Sequence, residues 1–381
     1  MEVIEYLKSS ELVADIQQYF GIHLPHLEKK NENNFTNNKG KSKEDNPPYV
    51  ITNKLWYYLF KLGTELGDEL FYSLFIPFWF WNVDGFVGRR VIFVWAIVMW
   101  IGQAIKDIVK WPRPGFPSVK LQKKWALEYG MPSTHAMVGI SIPFSVLLFT
   151  MNRYQYNVSI GLTLAILWCT LVCISRLYLG MHTVLDIIAG LLLAGIMMIP
   201  LVPIVNRLDN YFLTHPTGPL LCLVLSVLII IYYPNSGKWT PTRGDTTMIL
   251  SVSVGVQSGA WFNYQTGIMT AAELSPPYAI MWPSYTMLGC IILRTILGIS
   301  VVLGLRAIAK DFFYNCLCAM LRLDADELKS TENTLENGRK NFVELGSKYL
   351  MCSSIGFCIL YVIPLVFRYL NIERPTFYTE I

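Results

Sequence analysis

The chain has 381 residues, 53% of them hydrophobic and 14% aromatic, with only 15% charged and a net charge of +4. A soluble domain carries about a quarter charged residues, so this balance excludes an ordinary soluble domain and points to an integral membrane protein. The small positive charge is dispersed, and no basic block interleaved with aromatics marks a nucleic-acid partner.

The opening "MEVIEYLKSSELVADIQQYF" is amphipathic and lacks the basic start and continuous apolar core of a signal peptide. The tract "KKNENNFTNNKGKSKEDNPP" that follows is polar and rich in Asn and Lys, a composition that predicts disorder. A membrane crossing takes roughly 20 apolar residues. Nine stretches meet that need: 55–82, 91–110, 134–151, 157–174, 183–205, 218–233, 246–263, 284–308 and 347–370. The expected fold is all-α, a polytopic transmembrane helix bundle. Residues 1–50 form a largely disordered N-terminal region with a short amphipathic segment. Residues 51–206 hold the first spans and the chemistry, and 207–381 hold further spans with a polar loop and a short surface helix at 309–346.

Eight cysteines are scattered. Cys169, Cys173, Cys222, Cys290, Cys352 and Cys358 fall in apolar segments and read as small packing residues. Cys316 and Cys318 lie near a helix end, with reactivity or lipidation as their alternative use. No Cys/His spacing suggests zinc.

Three polar segments interrupt the apolar pattern. In "KDIVKWPRP", Lys106 lies near the end of the second span and Arg113 is flanked by Pro112 and Pro114. In "YGMPSTHAM", Pro132-Ser133-Thr134 opens the third span, with Ser133 and Thr134 suited to capping it, and free N–H groups there attract anions. His135 follows at the membrane edge. In "SRLYLGMHTVLD", Arg176 is expected in a turn after the fourth span, and His182 and Asp186 stand four apart on one face at the start of the fifth. An ion at such a place is expensive unless it is paired or functional. Each segment alone has a plainer reading: a snorkelling lysine, a helix start, a structural His–Asp pair.

By span count all three face one side, and together they have a chemical meaning. Lys106, Arg113 and Arg176 neutralise a phosphate and the charge of its transition state, with arginine's fork matching phosphate oxygens. Ser133 and Thr134 complete the phosphate-binding set. His182 attacks phosphorus while Asp186 holds its tautomer. His135 protonates the leaving alkoxide and then activates water. The side chains supply the positive charge, so the reading calls for no metal and no cofactor.

The spacings K-x6-R-P, P-S-x-H and S-R-x5-H-x3-D resemble the three-part signature of the type 2 phosphatidic acid phosphatase (PAP2) superfamily, with Thr134 where that superfamily usually has Gly. The words "WIGQAIKDIVKWPRP", "EYGMPSTHAM", "LVCISRLYLGMHTVLD" and "PTRGDTTMIL" are similar, more narrowly, to the sphingosine-1-phosphate phosphatases, from roughly Lys54 onward, and in that family Thr also replaces Gly. The resemblance implies a multi-pass enzyme of the endoplasmic reticulum membrane. It would cleave sphingosine 1-phosphate and dihydrosphingosine 1-phosphate to the sphingoid base and phosphate through a phosphohistidine, in a site facing the lumen. Its partners would be that lipid substrate and the surrounding lipids. The charge pattern alone argues the opposite side, because the loops beside these motifs are the richer in Lys and Arg. Here the resemblance takes precedence over that pattern, since several of those cations serve chemistry.

Two further features lie outside the motifs. Glu65, Asp68 and Glu69 are expected inside the first span, where one of them suits the substrate's ammonium and ordinary ion pairing is the alternative. Arg243 or Asp245 of "PTRGDTT" is placed to rim the site. The same chemistry also suits phosphatidate or a polyisoprenyl phosphate as substrate. A non-catalytic lipid-binding protein or a transporter is the rival of a different class, though no internal repeat supports a transporter.

Overall fold

The computed structural model describes residues 2–24, 48–122 and 127–381, with Glu69 described by its backbone alone. The tract expected to be disordered, and the sequon Asn34-Phe35-Thr36 within it, therefore lie outside the described residues. The architecture is helical: α1 (Glu2–Leu7), α2 (Ser10–Tyr19), α3 (Lys54–Glu65), α4 (Glu69–Asn82), α5 (Gly85–Val109), α6 (Thr134–Thr150), α7 (Val158–Tyr178), α8 (Val184–Thr214), α9 (Gly218–Ile231), α10 (Thr242–Gln265), α11 (Tyr285–Met320), α12 (Ala325–Ser330) and α13 (Gly338–Phe357). A π-turn carries α13 on into Ile363–Tyr369. Two minimal two-stranded pairings are the described sheet: Ile22–His23 with Val50–Ile51, and Tyr154–Gln155 with Tyr278–Ala279.

The long helices begin where the sequence supplies an oxygen for the first free N–H groups. Asp84, Ser133, Asn157, Thr183 and Ser284 cap α5, α6, α7, α8 and α11 through their side chains. Among the described residues, five helices are long and apolar enough to cross a membrane: α5, α7, α8, α11 and α13 with its extension. The apolar helices α6 and α9 are shorter. Helix α10 is less apolar because its neighbours are protein. A Cβ on Gly255 would stand 2.1 Å from the Ser353 carbonyl, and one on Gly356 would stand 2.4 Å from that of Val252. Small residues thus let α10 and α13 touch backbone to backbone, the usual device where helices meet inside a membrane.

Two expectations need correction. The stretch 55–82 is not one continuous helix, since Leu66, Gly67 and Asp68 break it between α3 and α4. Glu65 therefore ends α3, Asp68 sits in the turn and Glu69 opens α4, so these acids mark a break between two helices instead of lying along one continuous helix. Both pieces still run along α7: Gly63 lies against Leu171, and Phe71 and Phe75 pack on Trp168. The polar loop with a short surface helix expected at 309–346 does contain such a helix, α12, but the loop around it is shorter than expected. Helix α11 continues to Met320, α12 follows, and α13 begins at Gly338. Tyr314, Cys318, Leu328 and Val343 bury one another there. Cys318 is 1% exposed, which leaves Cys316 as the accessible thiol of that pair.

The N-terminal helices dock at the end of the bundle that carries the motifs. Gln17 is 2% exposed. Its amide donates to the carbonyls of Val119 at 2.7 Å and Tyr178 at 2.9 Å, and accepts from the Val119 N–H at 2.9 Å. Gly180, at φ +64°, is held so close to the Val119 carbonyl that no side chain fits between them.

Candidate active site

Helix α5 ends at Val109 and is capped by Lys110, whose backbone turns left-handed (φ 56°). That ending places Lys106 in the last turn, 1% exposed. Its Nζ donates to Thr134 Oγ1 at 3.0 Å and lies 2.7 Å from Glu128 Oε2. Arg113, in the loop beyond, donates through Nε to the Glu128 carbonyl (3.0 Å) and through Nη1 to the Met181 carbonyl (2.8 Å). The same Nη1 is 3.2 Å from His182 Nε2. Arg113 thus ties the first motif to the third, as Lys106 ties it to the second.

The contact with Arg113 decides the His182 tautomer. A guanidinium can only donate, so Nε2 presents its lone pair and the ring proton belongs on Nδ1. Nδ1 faces Asp186 Oδ2 at 3.8 Å, an ion-pair separation longer than a hydrogen bond. Asp186 has a second employment that the motif does not announce. It is the third residue of a capping box, where Oδ2 accepts from the Thr183 N–H at 2.8 Å and Thr183 Oγ1 accepts from the Asp186 N–H at 3.2 Å. Burial, together with the positive charge of Arg113, Arg176 and Lys106 around it, pushes the His182 imidazole well below its ordinary pKa. The neutral ring is the form that carries a lone pair.

Arg176 is fully buried at the end of α7. Its Nη1 donates to Thr64 Oγ1 and, at 2.8 Å, to Gln122 Oε1. Among the described residues its Nε and Nη2 have no acceptor, leaving one edge of the fork open. Ser133 caps α6 through its side chain, which accepts from the Ala136 N–H at 3.4 Å. Its own N–H donates to the Asp186 carbonyl at 3.0 Å, so that group is already engaged inside the protein. His135 lies in the first turn of α6, 8% exposed, with Gly67 pressed on its ring.

A narrow cavity runs through this region. Lys106, Arg113, Glu128, Thr134, His135 and Asp68 form its polar wall, and Tyr72, Trp95, Met99 and Ile249 form an apolar wall. His182 and Arg176 stand outside that lining, and Arg113 is the side chain that touches both the cavity and His182. Of the acids expected near the first span, Asp68 reaches the cavity and Glu65 is not among its lining residues. The Glu69 side chain is outside the described set. Asp245 also lines the cavity, whereas Arg243 turns away and donates to the Ile230 carbonyl at the end of α9.

Glu128 is the site residue that sequence reasoning missed. It lies in "EYGMPSTHAM", four residues before Pro132, and a carboxylate among phosphate-binding cations contradicts the charge sense of the motif. The signal was a lone acid in an otherwise uncharged stretch leading into the second motif. Among the described residues, no three or more His, Cys, Asp or Glu side chains are grouped as metal ligands.

Residues 88–209 match the model of the PAP2 superfamily. The chain is 40% identical over 325 residues to sphingosine-1-phosphate phosphatase 1 of Rattus norvegicus, an alignment covering 85% of this chain and 74% of the relative. It is 36% identical over 374 residues to sphingosine-1-phosphate phosphatase 2 of Mus musculus, covering 97% and 99%. It is 37% identical over 327 residues to sphingosine-1-phosphate phosphatase 2 of Homo sapiens, covering 85% and 80%. No solved structure matches.

Proposed function

Since the chain belongs to the sphingosine-1-phosphate phosphatase family of the PAP2 superfamily, we propose that the cavity between α4, α5, α6 and α10 hydrolyses sphingosine 1-phosphate and dihydrosphingosine 1-phosphate by way of a phosphohistidine. The protein is a membrane lipid phosphatase, a phosphoric monoester hydrolase. One observation carries the mechanistic reading: Lys106 on Thr134 and Arg113 on His182 Nε2 join side chains of all three motifs in one buried cluster.

In this reading the phosphate enters along the polar wall and the chain of the lipid lies against Tyr72, Trp95, Met99 and Ile249. Arg113 swings from His182 Nε2 to the phosphate oxygens, joined by Lys106, the open edge of Arg176, and the hydroxyls of Ser133 and Thr134. His182 Nε2 attacks phosphorus as the bond from phosphorus to the ester oxygen breaks. His135, protonated, gives its proton to the leaving alkoxide, which departs as the sphingoid alcohol. A water then attacks the phosphohistidine, losing a proton to His135. The phosphorus–nitrogen bond breaks, and phosphate and neutral His182 are regenerated. Asp186 stabilises the Nδ1–H side of the ring throughout.

The membrane arrangement belongs to the same proposal: nine crossings, with α3 and α4 sharing the first, and the motif-bearing end in the lumen of the endoplasmic reticulum. The contacts that support it alternate between two ends. Tyr129 reaches the Ser236 carbonyl, and Thr242 reaches Asp107, beside the motifs. Arg153 pairs with Asp84, and the Gly85 N–H with Glu380, at the other end.

The decisive test is phosphate release from sphingosine 1-phosphate by purified protein. His182→Ala is expected to lower it by about 10³-fold or more, because no other group forms the phosphoenzyme. Near wild-type turnover in that variant overturns the nucleophile assignment.

A further inference from the structure

The sphingoid substrate differs from a glycerolipid phosphate by an ammonium on the second carbon from its ester oxygen. A group that reads that ammonium must therefore lie beside the phosphate subsite. Resting on the reading above, we propose that Glu128 is the residue that recognises the ammonium, and that it does so by exchanging cations with the incoming substrate.

Glu128 is 4% exposed and lies on the cavity wall. Its Oε2 is 2.7 Å from Lys106 Nζ and 3.6 Å from Arg113 Nη2, the two cations of the first motif. Its Oε1 is buried and has no hydrogen-bond partner among the described residues. The two phosphate-binding cations are thus paired to an anion of the protein itself, with half of that anion's hydrogen-bonding capacity unused. When a phosphate takes Lys106 and Arg113, the carboxylate loses its partners at the moment a dianion arrives next to it. An unpaired carboxylate in that position is strongly unfavourable. An ammonium two carbons away from the phosphate restores the balance by pairing with Glu128. A phosphate lipid without an ammonium leaves Glu128 stranded.

Glu128 thus favours the correct substrate and penalises the wrong one with a single side chain, and such asymmetric sites give the largest discrimination. Asp68 and Asp245 share the cavity. Glu128 is the acid seen to pair with both Lys106 and Arg113, and the two aspartates serve as comparison positions in the test.

The experiment compares kcat/KM for sphingosine 1-phosphate and for its desamino analogue, in detergent, with wild-type protein and with Glu128→Gln, Asp68→Asn and Asp245→Asn. Wild type is expected to favour the ammonium substrate by about 10²-fold or more. Glu128→Gln is expected to reduce that ratio at least about tenfold, while the two aspartate variants keep it. A wild-type preference under about threefold overturns the proposal without any variant. So does an unchanged ratio in Glu128→Gln with both substrates slowed alike, which would mean that Glu128 only positions Lys106 and Arg113. So does a collapse of the ratio in Asp68→Asn or Asp245→Asn with the Glu128→Gln ratio intact. Should Glu128→Gln not fold, Glu128→Asp withdraws the carboxylate by one methylene and is expected to lower the same ratio, with an unchanged ratio overturning the proposal. Failure of the underlying reading looks different: wild type then releases phosphate from neither substrate.

Discussion

His182 is the residue whose chemistry depends most on what surrounds it. Burial and three neighbouring cations depress its pKa, so the ring stays neutral well below its ordinary titration range. The sign follows for both stability and activity. The unfolded chain protonates this histidine as pH falls through about 6.5, whereas the folded chain resists. Its contribution is therefore fully present above that pH and is lost on acidification toward the depressed folded value. For catalysis, the lone pair on Nε2 survives into mildly acidic solution. Arg113 is the largest single charge behind the shift. Arg113→Gln is accordingly expected to move the acid limb of the kcat/KM profile upward, toward about 6.5, in addition to lowering its plateau. A profile between about pH 4.5 and 8 measures both, and an acid limb that stays in place dissociates Arg113 from the His182 titration.

At the scale of elements, the break between α3 and α4 matters more than any single helix. It brings Thr64 to Arg176 and Asp68 to the cavity, and it lays Gly67 on the His135 ring. A Cβ at Gly67 would stand 2.7 Å from His135 Cδ2, so a methyl group there displaces the imidazole. Gly67→Ala is expected to lower kcat by about 10- to 100-fold with little change in melting temperature, since small displacements of a catalytic group are costly. Equal turnover in the variant, measured on sphingosine 1-phosphate, would show that the ring has room to move without penalty. Helix α8 displays a related economy of parts. Thr183 and Asp186 start the helix by mutual capping, and that start is what presents His182 to Arg113.

For the whole molecule, the proposed lumenal placement of the motif end makes a prediction about topology. The N-terminal helices are held to the motif end by Gln17, and the last residues reach the other end, where Glu380 accepts from the Gly85 N–H at 2.6 Å and pairs with Arg374. Those two attachments suit the odd number of crossings proposed above. With the motif end in the lumen, a sequon engineered into residues 25–47 and one engineered at 236–240 are both expected to acquire glycans, and one engineered beside Arg153 is not. Glycosidase-sensitive mobility shifts read the result. A glycan beside Arg153 with none at the other two sites would invert the molecule.

The sequence by itself determined what is local and covalent. Nine apolar stretches, capping residues at the helix starts and three spaced motifs are written in consecutive residues, because a crossing needs a run of apolar side chains and a cap needs one oxygen at one position. The boundaries failed where tertiary contacts outweighed composition. Leu66, Gly67 and Asp68 interrupt an apolar run to let His135 approach, and α11 runs on to Met320, beyond the expected end of its span, where Tyr314 and Cys318 pack against Leu328 and Val343. Only the tertiary structure decided the partners of each ion. Lys106 meets Glu128, 22 positions further along the chain, and Arg113 meets His182, 69 positions further. Glu128 had no legible role in the chain because a buried carboxylate acquires meaning only from the cations folded against it.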